Sequence, residues 1–280
     1  MSEKQGYIDL HLHTSMSDGA QTVDEVISEA QNAGLKAIAI TDHNCFAIDS
    51  PCYVGNLEVI PGCEFSTHYH TLTGRKVEIH IVGLFFHGVD RRLNHVFSGI
   101  DKDAYVKAIL KKLGTLGIQV SLEELHQRFP DANQLGRTQI ADVLVEKGHG
   151  YDRDNAMDLW IGNYSKYYLN PVDYTSYIKM GECVKKIAES GGLPILAHPY
   201  HYRFSDMEIE QLVRDFRKST DSPLGIEVYY QKYEEEKVSY LKKLADGYHL
   251  LPSASSDRHK ADGAFAKGDY FLLENMKKYF

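Results

Sequence analysis

Cysteine is scarce in this 280-residue chain, and its four copies (Cys45, Cys52, Cys63, Cys183) form neither a CxxC pair nor a repeating spacing. That excludes a thiolate zinc module and a disulfide scaffold, and it leaves free thiols of the kind a reducing cytoplasm keeps. No apolar run approaches the ~18 residues that a membrane span requires. The opening MSEKQGYIDLHLH has no apolar stretch of secretory type. A cytoplasmic protein without membrane attachment is therefore expected. A basic excess is missing too: 31 Lys+Arg stand against 39 Asp+Glu, a formal net charge of -8. Long nucleic acids are bound through basic faces, so such a partner is not expected. A small anionic ligand remains compatible, because bound metal can supply positive charge locally.

What is present is an ordinary globular composition, 43% hydrophobic and 25% charged, sufficient for one large domain or a domain with an insertion. Residues 7–12 read as a strand. Thr22 and Glu25 form a capping box ahead of apolar residues at helical spacing, and residues 36–41 read as a buried strand. Strand, helix and strand within so short a span make a βαβ unit and a parallel sheet. Residues 57–61 and 76–86 read as further strands. Residues 67–75 read as a polar rim loop exposing His68 and His70. From about 101 to 168 the periods are helical, with a capping box at Ser121 and Glu124. Strand–helix alternation resumes near Asn170, with strands at 193–197, 225–230 and 250–255. The expected organisation is an α/β barrel from residues 1–89 and 171–280, with residues 90–170 as a helical lobe over its mouth.

Histidine is the abundant functional residue, with fourteen copies. His11, His13, His43, Glu64, His198, Asp257 and His259 all fall at or just beyond the C-terminal end of an expected strand. That rim is where α/β barrels assemble active sites. His11 and His13 share one side of an extended segment, and Asp257 and His259 repeat the spacing. Either pair alone is a weak signal; two pairs with Thr-Asp-His and Ala-His-Pro make a metal constellation. Mixed imidazole and carboxylate donors suit Mn, Zn or Fe better than Ca or Mg. Asp9 and Asp42 are expected to orient ligand imidazoles.

These residues carry a resemblance. Tyr7-Ile-Asp-Leu-His-Leu-His-Thr-Ser-Met-Ser-Asp-Gly19 resembles the opening motif of the PHP (polymerase and histidinol phosphatase) family. Ile40-Thr-Asp-His43, Ile60-Pro-Gly-Cys-Glu64, Leu196-Ala-His-Pro199 and Ser255-Ser-Asp-Arg-His259 are similar to its later motifs. The resemblance implies a distorted seven-stranded β/α barrel with a trinuclear metal site, its ligands being His11, His13, Asp18, His43, Glu64, His80, His198, Asp257 and His259. Within the family, the helical insertion and the Gly136-Arg137 segment resemble the small phosphoesterases acting on nucleoside monophosphates, bisphosphates or short oligonucleotides.

Three divalent cations against Asp18, Glu64 and Asp257 leave a charge of about +3, which attracts phosphate and acidifies water. A metal-bridging hydroxide is then the expected nucleophile and inorganic phosphate a product, with about two to three transition metals as cofactors. In the resemblance Arg137 and Gln139 occupy substrate-binding positions, although relatives usually read Gly-Arg-Pro-His where this chain reads Gly136-Arg-Thr-Gln139. Relatives also often place an arginine where this chain has His201, which is expected to replace it as a cation when protonated. Arg203, Arg258 and Lys260 flank the motifs, and a tyrosine of the lobe is a candidate base-stacking residue. The competing readings are a histidinol-phosphate phosphatase, a short-oligonucleotide exonuclease, a metal-stabilised scaffold and amidohydrolase-type C–N hydrolysis.

Overall fold

The computed structural model describes residues 6–90, 93, 102–130, 132, 135–261 and 263–280. Seven strands form a distorted, nearly closed barrel: β1 (Tyr7–Leu12), β2 (Leu35–Ile40), β4 (Leu57–His70), β5 (Lys76–Leu84), β7 (Leu193–Leu196), β8 (Gly225–Tyr230) and β9 (Leu251–Ser255). Three short strands attach to them. Both β3 (Cys52–Val54) and β6 (Ile178–Lys179) pair with β4, and β10 (Gly268–Asp269) pairs with β1.

Helices α1 (Val23–Asn32), α6 (Met180–Glu189), α7 (Asp206–Arg217) and α8 (Glu235–Tyr248) cover the outside, and α9 (Tyr270–Lys277) follows β10. Thr22 and Glu25 close the expected capping box on α1, as Ser205 and Glu208 do on α7. Inside the barrel, Ile8, Leu10, Ala37, Ala39, Ile60, Val82, Ile195, Ala197 and Ala254 form one packed cluster with Leu273 and Met276 of α9. The barrel closes beside the candidate site, where His13 N donates to Arg258 O and Asp257 N to His11 O, each at 3.1 Å.

Two local features differ from expectation. Residues 67–70 are strand, not loop: β4 runs on to His70 and pairs with β5 through nine registered positions. Thr67 and Tyr69 suit a pleated surface, and the Thr67 hydroxyl donates to Ile79 O at 2.6 Å. His68 is thereby half-buried with Nδ1 2.6 Å from Tyr177 O, whereas His70 is exposed. The other difference is direction. β5 is antiparallel to both β4 and β7, against the parallel grain of the other barrel strands.

Between β5 and β6 the described residues hold no strand but four helices, α2 (Asp103–Thr115), α3 (Leu122–Arg128), α4 (Arg137–Glu146) and α5 (Arg153–Ala156), the last running into a π-helical turn at Met157–Ile161. They have their own core around Tyr105, Ile109, Leu113, Leu125, Ile140 and Leu144. No helix of the described residues is long and apolar enough to cross a membrane.

Candidate metal centre

One carboxylate organises the site. Glu64 sits mid-strand, not at a strand end as its sequence reading had it, because β4 exchanges partners there. Residues 58–61 pair with β2 and residues 62–70 with β5. Glu64 is buried, and five imidazoles surround it. His198 Nε2 lies 2.8 Å and His80 Nδ1 2.9 Å from Oε1. His43 Nδ1 at 3.0 Å, with His11 Nε2 and His13 Nε2 both at 3.3 Å, face Oε2.

The other two carboxylates extend the cluster. Asp257 Oδ1 is 3.2 Å from His13 Nε2, 3.5 Å from His259 Nδ1 and 3.6 Å from His11 Nε2. Asp18 Oδ1 is 3.2 Å from His259 Nε2 and 3.4 Å from His13 Nδ1. Its Oδ2 is 3.8 Å from His43 Nε2. All nine residues named from sequence thus meet at one place, in overlapping groups whose donor atoms lie within 4.8 Å of one another.

Local irregularities aim these side chains. Both β1 and β8 gain an extra residue against their partners, the first between Asp9 and Leu12 and the second between Glu227 and Tyr229. Such bulges redirect side chains next to sites. His198 (φ 27°) and Asp257 (φ 54°) hold left-handed backbone that costs non-glycine residues about 1–3 kcal/mol each. Gly19 is required by closeness: a Cβ there would come 2.5 Å from His13 O.

The supporting residues are not the expected ones. Asp9 and Asp42 touch backbone and hydroxyl groups, not imidazoles. Asp9 accepts from the amides of His11, Ser256 and Ala266. Burial lifts its carboxyl to about 6. Asp42 accepts from the Thr14 amide and hydroxyl and from the Ser17 hydroxyl, pinning the loop that carries Asp18. Two glutamates that sequence reasoning passed over adjoin ring nitrogens instead, and the one at 227 hydrogen-bonds its imidazole. Glu227 Oε1 is 2.7 Å from His11 Nδ1, while its Oε2 accepts from the His198 amide at 2.6 Å. Glu78 Oε1 is 3.3 Å from His80 Nε2. Glu227 is a carboxylate inside a buried strand, which is the one sequence signal that would have flagged it, whereas Glu78 lies in the half-buried first part of β5.

The expected substrate residues separate. Arg137 opens α4, donates to Asn163 Oδ1 at 2.6 Å and lies over the Tyr168 ring. Gln139 is buried with both amide atoms engaged, Nε2 on Ser17 O and Oε1 on Gly136 N. His201 stacks on His198 with centroids 4.8 Å apart. Burial pushes it down to about 3, so it stands as a neutral imidazole and not as the cation expected in place of an arginine. Arg258 is turned away into an ion pair with Glu29 and bonds to Ala261 O and Gly263 O. Arg203 lies over the Tyr164 ring, and Lys260 pairs with Asp154 at 3.4 Å.

The donor set fits divalent metal. His13 Nδ1, His43 Nδ1, both ring nitrogens of His80, His198 Nδ1 and Glu64 Oε2 are buried without a hydrogen-bond partner. So many orphaned donors around shared carboxylates are costly unless a cation joins them. Without one, protons substitute. Burial opposes charge on His13 and His80, but the adjoining carboxylates raise them to about 10 and about 9, and lift His11 well above its ordinary value. Metal ligation requires neutral imidazole. Metal loading at pH 7.5 should therefore release about three protons per chain, one each from His11, His13 and His80, and affinity should tighten as pH rises. Calorimetry in buffers of different ionisation enthalpy measures the release; none at all would contradict this account.

The comparisons agree with the geometry. The PHP domain profile matches residues 9–280, and the chain belongs to that family. It is a hydrolase of the phosphoesterase class. It is 28% identical over 261 residues to the 5'-3' exoribonuclease Rnm of Escherichia coli (strain K12), covering 90% of this chain and 85% of that one. It is likewise 28% identical over 262 residues to a 3',5'-nucleoside bisphosphate phosphatase of Chromobacterium violaceum, covering 90% and 87%. Among solved structures, a Chromobacterium violaceum chain described as an amidohydrolase with bound sulfate superposes with TM-score 0.78 at 23% identity, covering 97% and 96%. A Bifidobacterium adolescentis chain assigned as a metal-dependent phosphoesterase gives 0.76 at 20% identity, covering 99% and 97%. At those identities the two structures speak to fold alone.

Proposed function

We propose that His11, His13, Asp18, His43, Glu64, His80, His198, Asp257 and His259 hold about two to three divalent transition metals, Mn, Zn or Fe, and that the site hydrolyses nucleoside mono- or bisphosphates with release of inorganic phosphate. The carrying observation is the buried Glu64 carboxylate among five imidazoles, of which His11, His13 and His198 are themselves buried. The substrate class is supported by the nucleotide-acting relatives. When bound, the metals supply positive charge for phosphate and acidify water. The chain's own part is to fix the donors: Glu227 turns His11, Glu78 turns His80, and Asp42 holds the Asp18 loop. His201, which shares a donor cluster with His198 and Asp257, would meet a bound phosphate as a neutral hydrogen-bonding imidazole. The described residues of 102–170 act as a lobe over the site, their Arg137 assisting His80 in holding the Glu78 carboxyl low against its burial. The free thiols Cys45, Cys52, Cys63 and Cys183 suit a cytoplasmic setting.

Purified, manganese-loaded protein assayed on a nucleoside 3',5'-bisphosphate, a nucleoside 5'-monophosphate, a short oligoribonucleotide and histidinol phosphate tests this reading. Fastest phosphate release from a mononucleotide is expected. Preference for the oligoribonucleotide would favour the exonuclease reading, and turnover of histidinol phosphate alone would sink the nucleotide assignment. Arg137→Ala should slow hydrolysis roughly thirty-fold, since a charge-assisted, bidentate phosphate contact is worth about 2 kcal/mol more than a neutral one. Gln139→Ala should slow it less at saturating metal. Steady-state kinetics with metal content measured in parallel checks this, and a wild-type rate for Arg137→Ala would place phosphate binding elsewhere.

A further inference from the structure

Two side chains of the lobe reach the loop that carries Asp18. The Thr138 hydroxyl donates to Asp18 Oδ2 at 2.8 Å, and Gln139 Nε2 donates to Ser17 O at 2.8 Å. Gln139 is rigid in this role, because its Oε1 accepts from Gly136 N at 2.9 Å and the side chain is buried. From the barrel side, Asp42 accepts from the Ser17 hydroxyl at 2.6 Å. The Asp18 loop is therefore gripped from both directions. Asp18 divides its oxygens accordingly, with Oδ1 towards His13 and His259 and Oδ2 shared by Thr138 and His43.

These are the two positions at which the chain departs from the Gly-Arg-Pro-His pattern. A proline at 138 would have no donor to offer Asp18. We propose that Thr138 and Gln139 are positioning residues: they clamp the Asp18 loop to the lobe, and so set the metal affinity of the position formed by His13, Asp18, His43 and His259. The inference rests on reading those four residues as ligands. Outer partners of ligand carboxylates commonly change metal affinity 10–100-fold. By linkage, a clamp that helps metal bind is tightened by metal to the same degree. Filling this position therefore holds α4 more firmly against the Asp18 loop.

The test is manganese titration of the full chain against a chromophoric chelator, with wild type, Thr138→Val, Gln139→Leu and Thr138→Ser. Thr138→Val removes the donor at nearly constant volume, and Thr138→Ser restores it. Thr138→Val and Gln139→Leu should each weaken one manganese equivalent by about tenfold and leave the others unchanged, while Thr138→Ser stays near wild type. Hydrogen exchange in residues 137–146 should slow on manganese addition in wild type and Thr138→Ser, and not in Thr138→Val. Thermal melts in chelator establish that each variant is folded. Wild-type affinity for every equivalent in folded Thr138→Val would overturn the clamp alone. Equal damage from Thr138→Ser and Thr138→Val would do the same. A wild-type protein that binds no manganese would overturn the ligand reading, and the clamp with it.

Discussion

Glu64→Gln should lower phosphate-ester hydrolysis by roughly a thousandfold and cost the protein at least one metal equivalent, with the fold retained. Both oxygens of Glu64 face imidazoles, Oε1 towards His80 and His198 and Oε2 towards His11, His13 and His43. Burial alone would raise its pKa, yet His80, His43 and His11 hold it well below the ordinary value. The surroundings thus favour the charged carboxylate. Glutamine keeps the shape, removes that charge and replaces one acceptor with a donor aimed at imidazole nitrogens. A loss of about 4 kcal/mol in charge stabilisation corresponds to the thousandfold. Elemental analysis and kcat/KM on one preparation measure both effects. A variant with full metal and near-normal turnover would remove Glu64 from the centre of the mechanism.

Glu227→Gln should weaken metal binding by about 10–100-fold, although residue 227 is not itself a proposed ligand. Glu227 touches two of them: His11 Nδ1 and the His198 amide. The His198 amide must donate, so the glutamine oxygen would turn towards it. The glutamine NH2 would then face His11 Nδ1 and donate to it. That forces the imidazole proton onto Nε2, the nitrogen directed at Glu64 and His13. His11 would be left with a protonated nitrogen where a metal needs a lone pair. His198, already at φ 27°, would exchange a charge-assisted bond for a neutral one. Metal titration measures the loss, and unchanged affinity would show that the Glu227 carboxylate does not select the His11 tautomer.

The legible parts of this protein were those carried by residue type at short spacing. His11 with His13, Asp257 with His259, and His43 after a buried strand were visible because imidazoles beside carboxylates are rare at strand ends. The capping boxes at Thr22, Ser121 and Ser205 were readable for the same local reason. Supporting roles are long-range and left little trace. Glu227 is 216 residues from His11 in sequence, and nothing beyond its place in a buried strand marks it. Asp9 and Asp42 looked like imidazole partners because they precede histidines, but chain geometry turned them onto backbone amides. The reversed direction of β5 was available: only the five residues 71–75 separate it from β4, too few for a parallel crossover. Polar residues 67–70 concealed the strand that makes this hairpin. Gln139 looked like a phosphate ligand by position, and only its two buried hydrogen bonds reveal a structural role.

The central claim is that one cluster of histidines and carboxylates hydrolyses phosphate esters through bound divalent metal. The most direct measurement strips the protein with chelator, verifies the loss by elemental analysis, and follows phosphate release from a nucleoside 3',5'-bisphosphate as manganese is returned. The account predicts no turnover without metal and recovery that saturates at about two to three equivalents per chain. Full turnover by verified metal-free protein, or recovery complete while the cluster remains unloaded, would contradict it.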